Sequence, residues 1–191
     1  MNEVSEGRIE LNGQDISSLD PHRLRRDIGF VLQEAALFPH WTVAQNIGLV
    51  PRLIGKEKKW IKNRVNELLK LVKLEKEYAD RYPNQLSGGQ AQRVSIARAM
   101  AADPAFIIFD EPFSALDPIT RADLQNEVNR LKEQVGLTSV FVTHDMNEAF
   151  LLGDQIIVLD EGQIAQHGTP TEIQEKPAND YVQSLISPQD D

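Results

Sequence analysis

Three apolar runs of strand length recur along the chain, and each ends at polar residues. They are Ile28 to Gln33 (IGFVLQ), Phe106 to Phe109 ahead of Asp110-Glu111, and Ser139 to Thr143 ahead of His144. Runs this short and rich in β-branched and aromatic residues predict strands. The two later runs have the unbroken apolar character of parallel strands buried on both faces. Between them Asp117 is placed to cap a helix with Pro118 in its first position, and Leu124, Val128, Leu131 and Val135 form one stripe. Strand, helix, strand in this order predicts a right-handed parallel crossover.

Helical spacing also marks Lys58 to Leu74, where Ile61, Val65, Leu68, Leu69 and Val72 share a face, and Gln90 to Ala102, which is rich in Ala. Residues Glu34 to Thr42 around Pro39, and Pro83 to Gly89, are loop-like. Arg8 to Leu11 alternates ahead of Asn12-Gly13, so the chain opens in a strand pair. Gln155 to Leu159 and Gln163 to Gln166 flank Asp160-Glu161-Gly162 and predict a hairpin. A polar, partly helical tail follows Gly168-Thr169-Pro170.

Composition narrows the function classes. With 191 residues, 41% hydrophobic and 26% charged, the chain matches one ordinary globular domain. A net charge of -9 disfavours nucleic acid as a partner. There is no cysteine, and His22, His40, His144 and His167 are scattered, so thiolate or histidine-built metal sites are not expected. No apolar run approaches the ~18–20 residues of a membrane span. The opening MNEVSEGRIE has no secretory pattern, which favours a cytoplasmic address.

Chemistry concentrates at four places. Ser87 and Gln90 have the spacing of a capping box, and Gly88 and Gly89 between them free backbone amides at a helix N-terminus, where a phosphate is favoured. The same residues equally suit a plain capped helix. Asp110 and Glu111 end a buried strand at the carboxyl edge of a parallel sheet, where Asp110 could hold Mg²⁺ and Glu111 could polarise an attacking water. His144 ends the next strand and could touch a terminal phosphate, and Gln33 ends the first, with an amide suited to a metal-bound water. Taken singly, each also has a structural explanation.

Their order along the chain carries more than any one of them. Gln33, LSGGQ at 86 to 90, FIIFDE at 106 to 111, Ser114 to Asp117 and His144 resemble the Q-loop, signature motif, Walker B strand with its glutamate, D-loop and switch histidine of ABC transporter ATP-binding subunits. The resemblance runs from about Gly7 to Ile186. LRRDIGFVLQ, ALFPHWTVAQNI, DPITRADLQNEV, VFVTHDMNEAF and KPANDYVQSLI look like the importers of quaternary-amine osmoprotectants such as glycine betaine, choline or carnitine. It implies an α/β, P-loop NTPase-like ABC ATPase with a mostly parallel sheet core and a helical signature subdomain at about 45–102. The regulatory CBS domains that members of this subfamily often carry after the ATPase are not expected within these residues.

The resemblance further implies ATP and Mg²⁺ as ligands and a head-to-tail pair of ATPase subunits. Transmembrane permease subunits would be direct partners, a solute-binding protein an indirect one, and the location the inner face of the membrane. Ser87, Gly88, Gly89 and Gln90 would contact nucleotide held by the partner subunit. Gln33 and Asp110 would hold Mg²⁺, Glu111 would act as base, His144 would engage the γ-phosphate, and Asp117 would link the two sites. One element of the pattern is not found: no G-x-x-x-x-G-K-[ST] occurs, and the single Gly55-Lys56 is followed by Glu57 and has Val50 five residues earlier, where the motif needs Gly. In the family that loop lies farther upstream than the 32 residues before Gln33. The domain is therefore expected to be N-terminally incomplete, with apolar sheet faces left uncovered and little activity alone. Two alternatives stand beside this: a non-catalytic ABC partner that donates only its signature motif in trans, and a soluble ABC ATPase outside transport.

Overall fold

The structure is a computed structural model and describes residues 6–11 and 13–187. Asn12, half of the expected first turn, lies outside them. A short antiparallel pair, β1 (Glu10–Leu11) and β2 (Gln14–Asp15), leads through α1 (Pro21–Arg26) to β3 (Ile28–Val31). Four helices follow: α2 (Val43–Ile47), α3 (Leu49–Leu53), α4 (Lys58–Leu71) and α5 (Gly88–Met100). Next come β4 (Phe106–Asp110), α6 (Pro118–Val135), β5 (Ser139–Val142) and α7 (Met146–Leu152). The hairpin β6 (Ile156–Asp160) and β7 (Gln163–Gly168) and the helices α8 (Pro170–Glu175) and α9 (Asp180–Ile186) complete the described chain.

β3, β4 and β5 form a parallel sheet in that order, with Val31 opposite Phe109 and Phe109 opposite Phe141. Phe109 stacks on Phe141 at 4.3 Å between ring centroids. Val31, Ile107 and Phe109 are fully buried in one core with side chains of α2, α4, α5 and α6. The second face differs from the expectation of strands buried on both sides. Phe30, Val140 and Val142 are about half exposed, at 45%, 50% and 50%. Burial alternates along β5 because the helices cover one face and no described element covers the other. Ile157, Leu159 and Ile164 on the hairpin are exposed as well, so apolar strand surface is left to solvent.

Boundaries moved by a few residues for local reasons. β3 stops at Val31, short of Gln33. α4 ends at Leu71, after which Lys73 takes a positive φ of 53° while Val72 and Leu74 still reach the core. The Ala-rich helix starts at Gly88 rather than Gln90, because Ser87 caps it. Val135 leaves the expected stripe and is exposed: Gly136, at φ 63°, turns the chain out of α6 there.

α5 and α6 are joined by charge as well as by packing. Glu127 of α6 is buried and pairs with Arg93 of α5, with Lys73 at 3.6 Å and Arg130 at 3.9 Å. Arg93 and Arg130 also donate to the Val72 and Leu71 carbonyls at the end of α4. A single carboxylate thus ties α6 to the helices between β3 and β4. The hairpin, α8 and α9 enclose a second core around Ile156, Val158, Ile173 and Val182.

Candidate functional site

Parallel pairing in register delivers the three strand ends to one edge. With Val31, Phe109 and Phe141 abreast, Gln33, Asp110, Glu111 and His144 all follow at the carboxyl ends of β3, β4 and β5. This is the side of a parallel sheet on which ligands bind in α/β proteins.

Glu111 stands in a strained backbone position, a non-glycine residue at φ 44°. It is held there from both sides. Its N–H donates to the Val142 carbonyl at 2.9 Å, and its own carbonyl accepts from the Ser114 hydroxyl at 2.9 Å and the Ser114 N–H at 3.3 Å. The chain turns sharply after Asp110, and the Glu111 carboxylate comes within 3.4 Å of the His144 Nδ1 through its Oε1. The glutamate side chain is 34% exposed and the imidazole 74%, so water and a ligand can reach both.

His144 is carried by a braced loop. The Thr143 hydroxyl donates to Glu148 Oε2 at 2.7 Å and accepts from the Asp145 N–H at 3.0 Å, spanning the histidine. Glu148, itself buried, accepts from Gln125 of α6 at 3.0 Å. Asp145 caps α7 through the Asn147 N–H at 2.8 Å.

The Ser87 to Gln90 segment forms the reciprocal capping box that its spacing implies. Ser87 Oγ accepts from the Gln90 N–H at 3.3 Å, and Gln90 Oε1 accepts from the Ser87 N–H at 3.0 Å. Gln90 Nε2 donates to the Tyr78 hydroxyl at 3.0 Å. Among the described residues no hydrogen bond or ion pair joins this helix terminus to Asp110, Glu111 or His144. Gly89 instead abuts α6, and Gly88 the segment just before it. A Cβ at Gly89 would stand 2.5 Å from Thr120 Cγ2, and one at Gly88 would stand 3.6 Å from Leu116.

Asp117 caps α6 by accepting from the Thr120 N–H at 3.0 Å. Hydrogen bonds from the Thr120 side chain and backbone hold its carboxyl below the usual carboxylate range.

For a divalent cation the donor set is small. No group of three or more acidic or histidine side chains able to hold a metal occurs among the described residues. The Asp110 carboxylate and the Gln33 amide oxygen at one sheet edge suit Mg²⁺, which takes one or two protein oxygens and fills its remaining positions with phosphate and water.

Motif spacing did not point to Gln92, Arg98, Glu127 or Glu148. Gln92, Glu127 and Glu148 are buried polar residues on helices that otherwise bury apolar side chains, such as Ile96 and Met100 beside Gln92 on α5, and Arg98 lies on that helix as well. That break in an apolar stripe was the available signal.

The family model described as ABC transporter matches residues 1–114. Over 184 residues the chain is 53% identical to the glycine betaine/carnitine/choline transport ATP-binding protein of Bacillus subtilis (strain 168), covering 96% of this chain and 48% of that protein. It is 51% identical, with the same coverage, to the choline transport ATP-binding protein of that organism. The chain thus spans about half the length of these curated relatives. Among solved structures, a dimeric post-hydrolysis state of an ATP-binding cassette bound to ADP and Pi superposes with TM-score 0.74 at 37% identity, covering 87% of this chain and 74% of that one.

Proposed function

The chain belongs to the ABC transporter family, and we propose that it forms part of the ATP-hydrolysing subunit that drives an importer of quaternary-amine osmoprotectants. The observation that carries this reading is the Glu111–His144 pair, 3.4 Å apart at the strand edge that also bears Asp110 and Gln33. Likeness to betaine, carnitine and choline transport proteins supports the solute class.

In this reading Glu111 is the general base. Its carboxylate accepts a proton from the water that attacks the γ-phosphorus, and the strained turn aims it off the strand end. His144 faces Glu111 through Nδ1 and would meet a phosphate oxygen through Nε2, so it steadies the base and the terminal phosphate together. Asp110 and Gln33 would hold Mg²⁺, which supplies charge neutralisation on the phosphates when bound. Ser87, Gly88, Gly89 and Gln90 would present the α5 N-terminus to nucleotide on a second ATPase subunit, and Asp117 would lie between the two sites.

In this proposal residues 45–102 form the helical signature subdomain, and the Phe38–Trp41 loop just before it meets the transmembrane partner. Supporting this, Phe38 is 46% exposed and packs on Trp41 at 4.8 Å, with the Arg52 guanidinium 5.6 Å above the Trp41 ring. No helix of the described residues is long and apolar enough to cross a membrane. The subunit works at the inner membrane face, bound to permease subunits that receive solute from a binding protein.

A second reading is that the chain donates only Ser87–Gln90 and Asp117 to a complete partner. Mixing with a P-loop-bearing partner separates the two. Glu111→Gln abolishes hydrolysis if this chain supplies the base, and leaves the partner's site working if it donates only in trans. In the full-length subunit we expect Glu111→Gln to keep ATP binding and lose turnover; unchanged turnover would remove Glu111 from the proposal.

A further inference from the structure

The loop that carries Gln33 has almost no secondary structure of its own. It leaves β3 at Val31 and reaches α2 only at Val43, so its backbone groups need outside partners. Asn46 of α2 holds Phe38 and the Trp41 carbonyl, and the partners of residues 32–36 lie on α5. Gln92, 2% exposed, donates from Nε2 to the Leu32 carbonyl at 3.0 Å. Arg98 donates from Nη1 to the Ala36 carbonyl at 2.8 Å and from Nη2 to the Ala35 carbonyl at 3.0 Å. Gln33 is therefore bracketed by carbonyls anchored to one helix. Ala36, the last of these anchors, stands at φ 45°, a left-handed conformation that a non-glycine residue holds only when its surroundings enforce it.

Arg98 spends its charge on this task. Its hydrogen bonds go to the two carbonyls and to the Ser95 hydroxyl at 3.5 Å, with no carboxylate among the described residues. Burial pushes the guanidinium below its ordinary range, an unfavourable term that a plain apolar residue would avoid. The planar fork of a guanidinium holds two successive carbonyls in a fixed geometry, which the rotating donors of a single ammonium do not enforce.

We propose that Gln92 and Arg98 are positioning residues: they clamp the 32–36 backbone to α5 and thereby set where Gln33 stands at the sheet edge. Because α5 begins at the Ser87 capping box, one helix then carries both the signature segment and the support of Gln33. The proposal rests on the functional reading above for Gln33, but the clamp itself is judged independently of activity.

The test uses the full-length ATPase subunit and two measurements. Amide exchange of the 32–38 segment should accelerate by about tenfold in Gln92→Met and in Arg98→Met, while α4 exchanges as in the parent. Turnover is then compared in a double-mutant cycle with Gln33→Ala. Arg98→Met should lower kcat by about fivefold or more beside Gln33 and by less than about twofold beside Gln33→Ala, with KM for ATP little changed. Arg98→Lys, which keeps the charge and N–H donors but not the planar fork, should recover part of the loss. If Arg98→Met does not fold, Gln92→Met carries the same cycle. Unchanged exchange in the 32–38 segment, or equal losses in both Gln33 backgrounds, would overturn the clamp. Loss of the functional reading would look different, as persistent turnover in Glu111→Gln with exchange still responding to Gln92→Met.

Discussion

Thr120 Cγ2 fills the space that a Cβ on Gly89 would need, at 2.5 Å. The second glycine of the signature segment therefore has a packing duty toward α6 in addition to any role toward nucleotide. Thr120 is β-branched and sits in the first turn of α6, so its methyl cannot swing aside freely. Gly89→Ala should destabilise the fold by about 1–3 kcal/mol, the usual cost of overpacking. Gly89→Ala/Thr120→Ser, which removes the obstructing methyl, should restore most of it in a denaturant titration. If the double variant is stable yet still defective in turnover, the glycine also acts beyond packing.

His144→Ala should lower kcat of the full-length subunit by about 10²–10³-fold with little change in ATP affinity, since the lost donor acts on charge that develops in the transition state. His144→Gln, which retains a donor, should recover part of that loss. An effect on KM alone would place His144 in ground-state binding instead.

Glu127 offers a prediction about architecture. Its buried carboxylate faces three cations on α5, α6 and the end of α4, and its Oε1 has no hydrogen-bond partner. Glu127→Ala would leave Arg93 without its anion and should cost about 3–5 kcal/mol. Arg93→Met/Glu127→Met, which removes both charges, should cost much less than the sum of the single changes. Additive losses in thermal unfolding would contradict the coupling.

Acid stability follows from helix caps. The carboxyls of Asp117 and Glu172 are held below their usual range, the first mainly by the Thr120 side chain and the second mainly by the Thr169 N–H. A depressed carboxylate contributes stability that is complete above its unfolded pKa and is lost as pH falls through the lower folded value. Asp117→Asn should thus reduce stability at neutral pH and flatten its decline on acidification. A pH series of melting temperatures for both proteins checks this, and parallel curves would exclude the cap as the source.

The exposed sheet face has a consequence in solution. Phe30, Val140 and Val142 on the sheet, with Ile157, Leu159 and Ile164 on the hairpin, leave apolar strand surface uncovered in the 191-residue chain. That chain alone should self-associate or melt at low temperature. Val140→Thr/Val142→Thr should raise its monomer fraction in sedimentation; a monomer with a sharp, high-temperature melt would contradict the expectation.

Much of this protein was legible one residue at a time. Strand runs leading toward Gln33, Asp110-Glu111 and His144, the Ser87–Gln90 capping box and the Asp117-Pro118 helix start all depend on neighbours a few positions away, so local pattern sufficed for them, though β3 ends two residues before Gln33. Parallel order followed too, because a helix between two apolar strands leaves few alternatives.

Tertiary structure decided what depends on distant pairs. The sequence placed His144 at the right edge but not 3.4 Å from Glu111, a separation set by how β4 and β5 register and how the chain turns at φ 44°. Nor could it show that Val140 and Val142 face solvent, since exposure depends on which elements come to cover a sheet. Gln92 and Arg98 read as ordinary helix residues until α5 packed beside the 32–36 loop, about 60 positions earlier in the chain. Side-chain spacing along a chain reports the face of a helix or strand; only packing reports what that face meets.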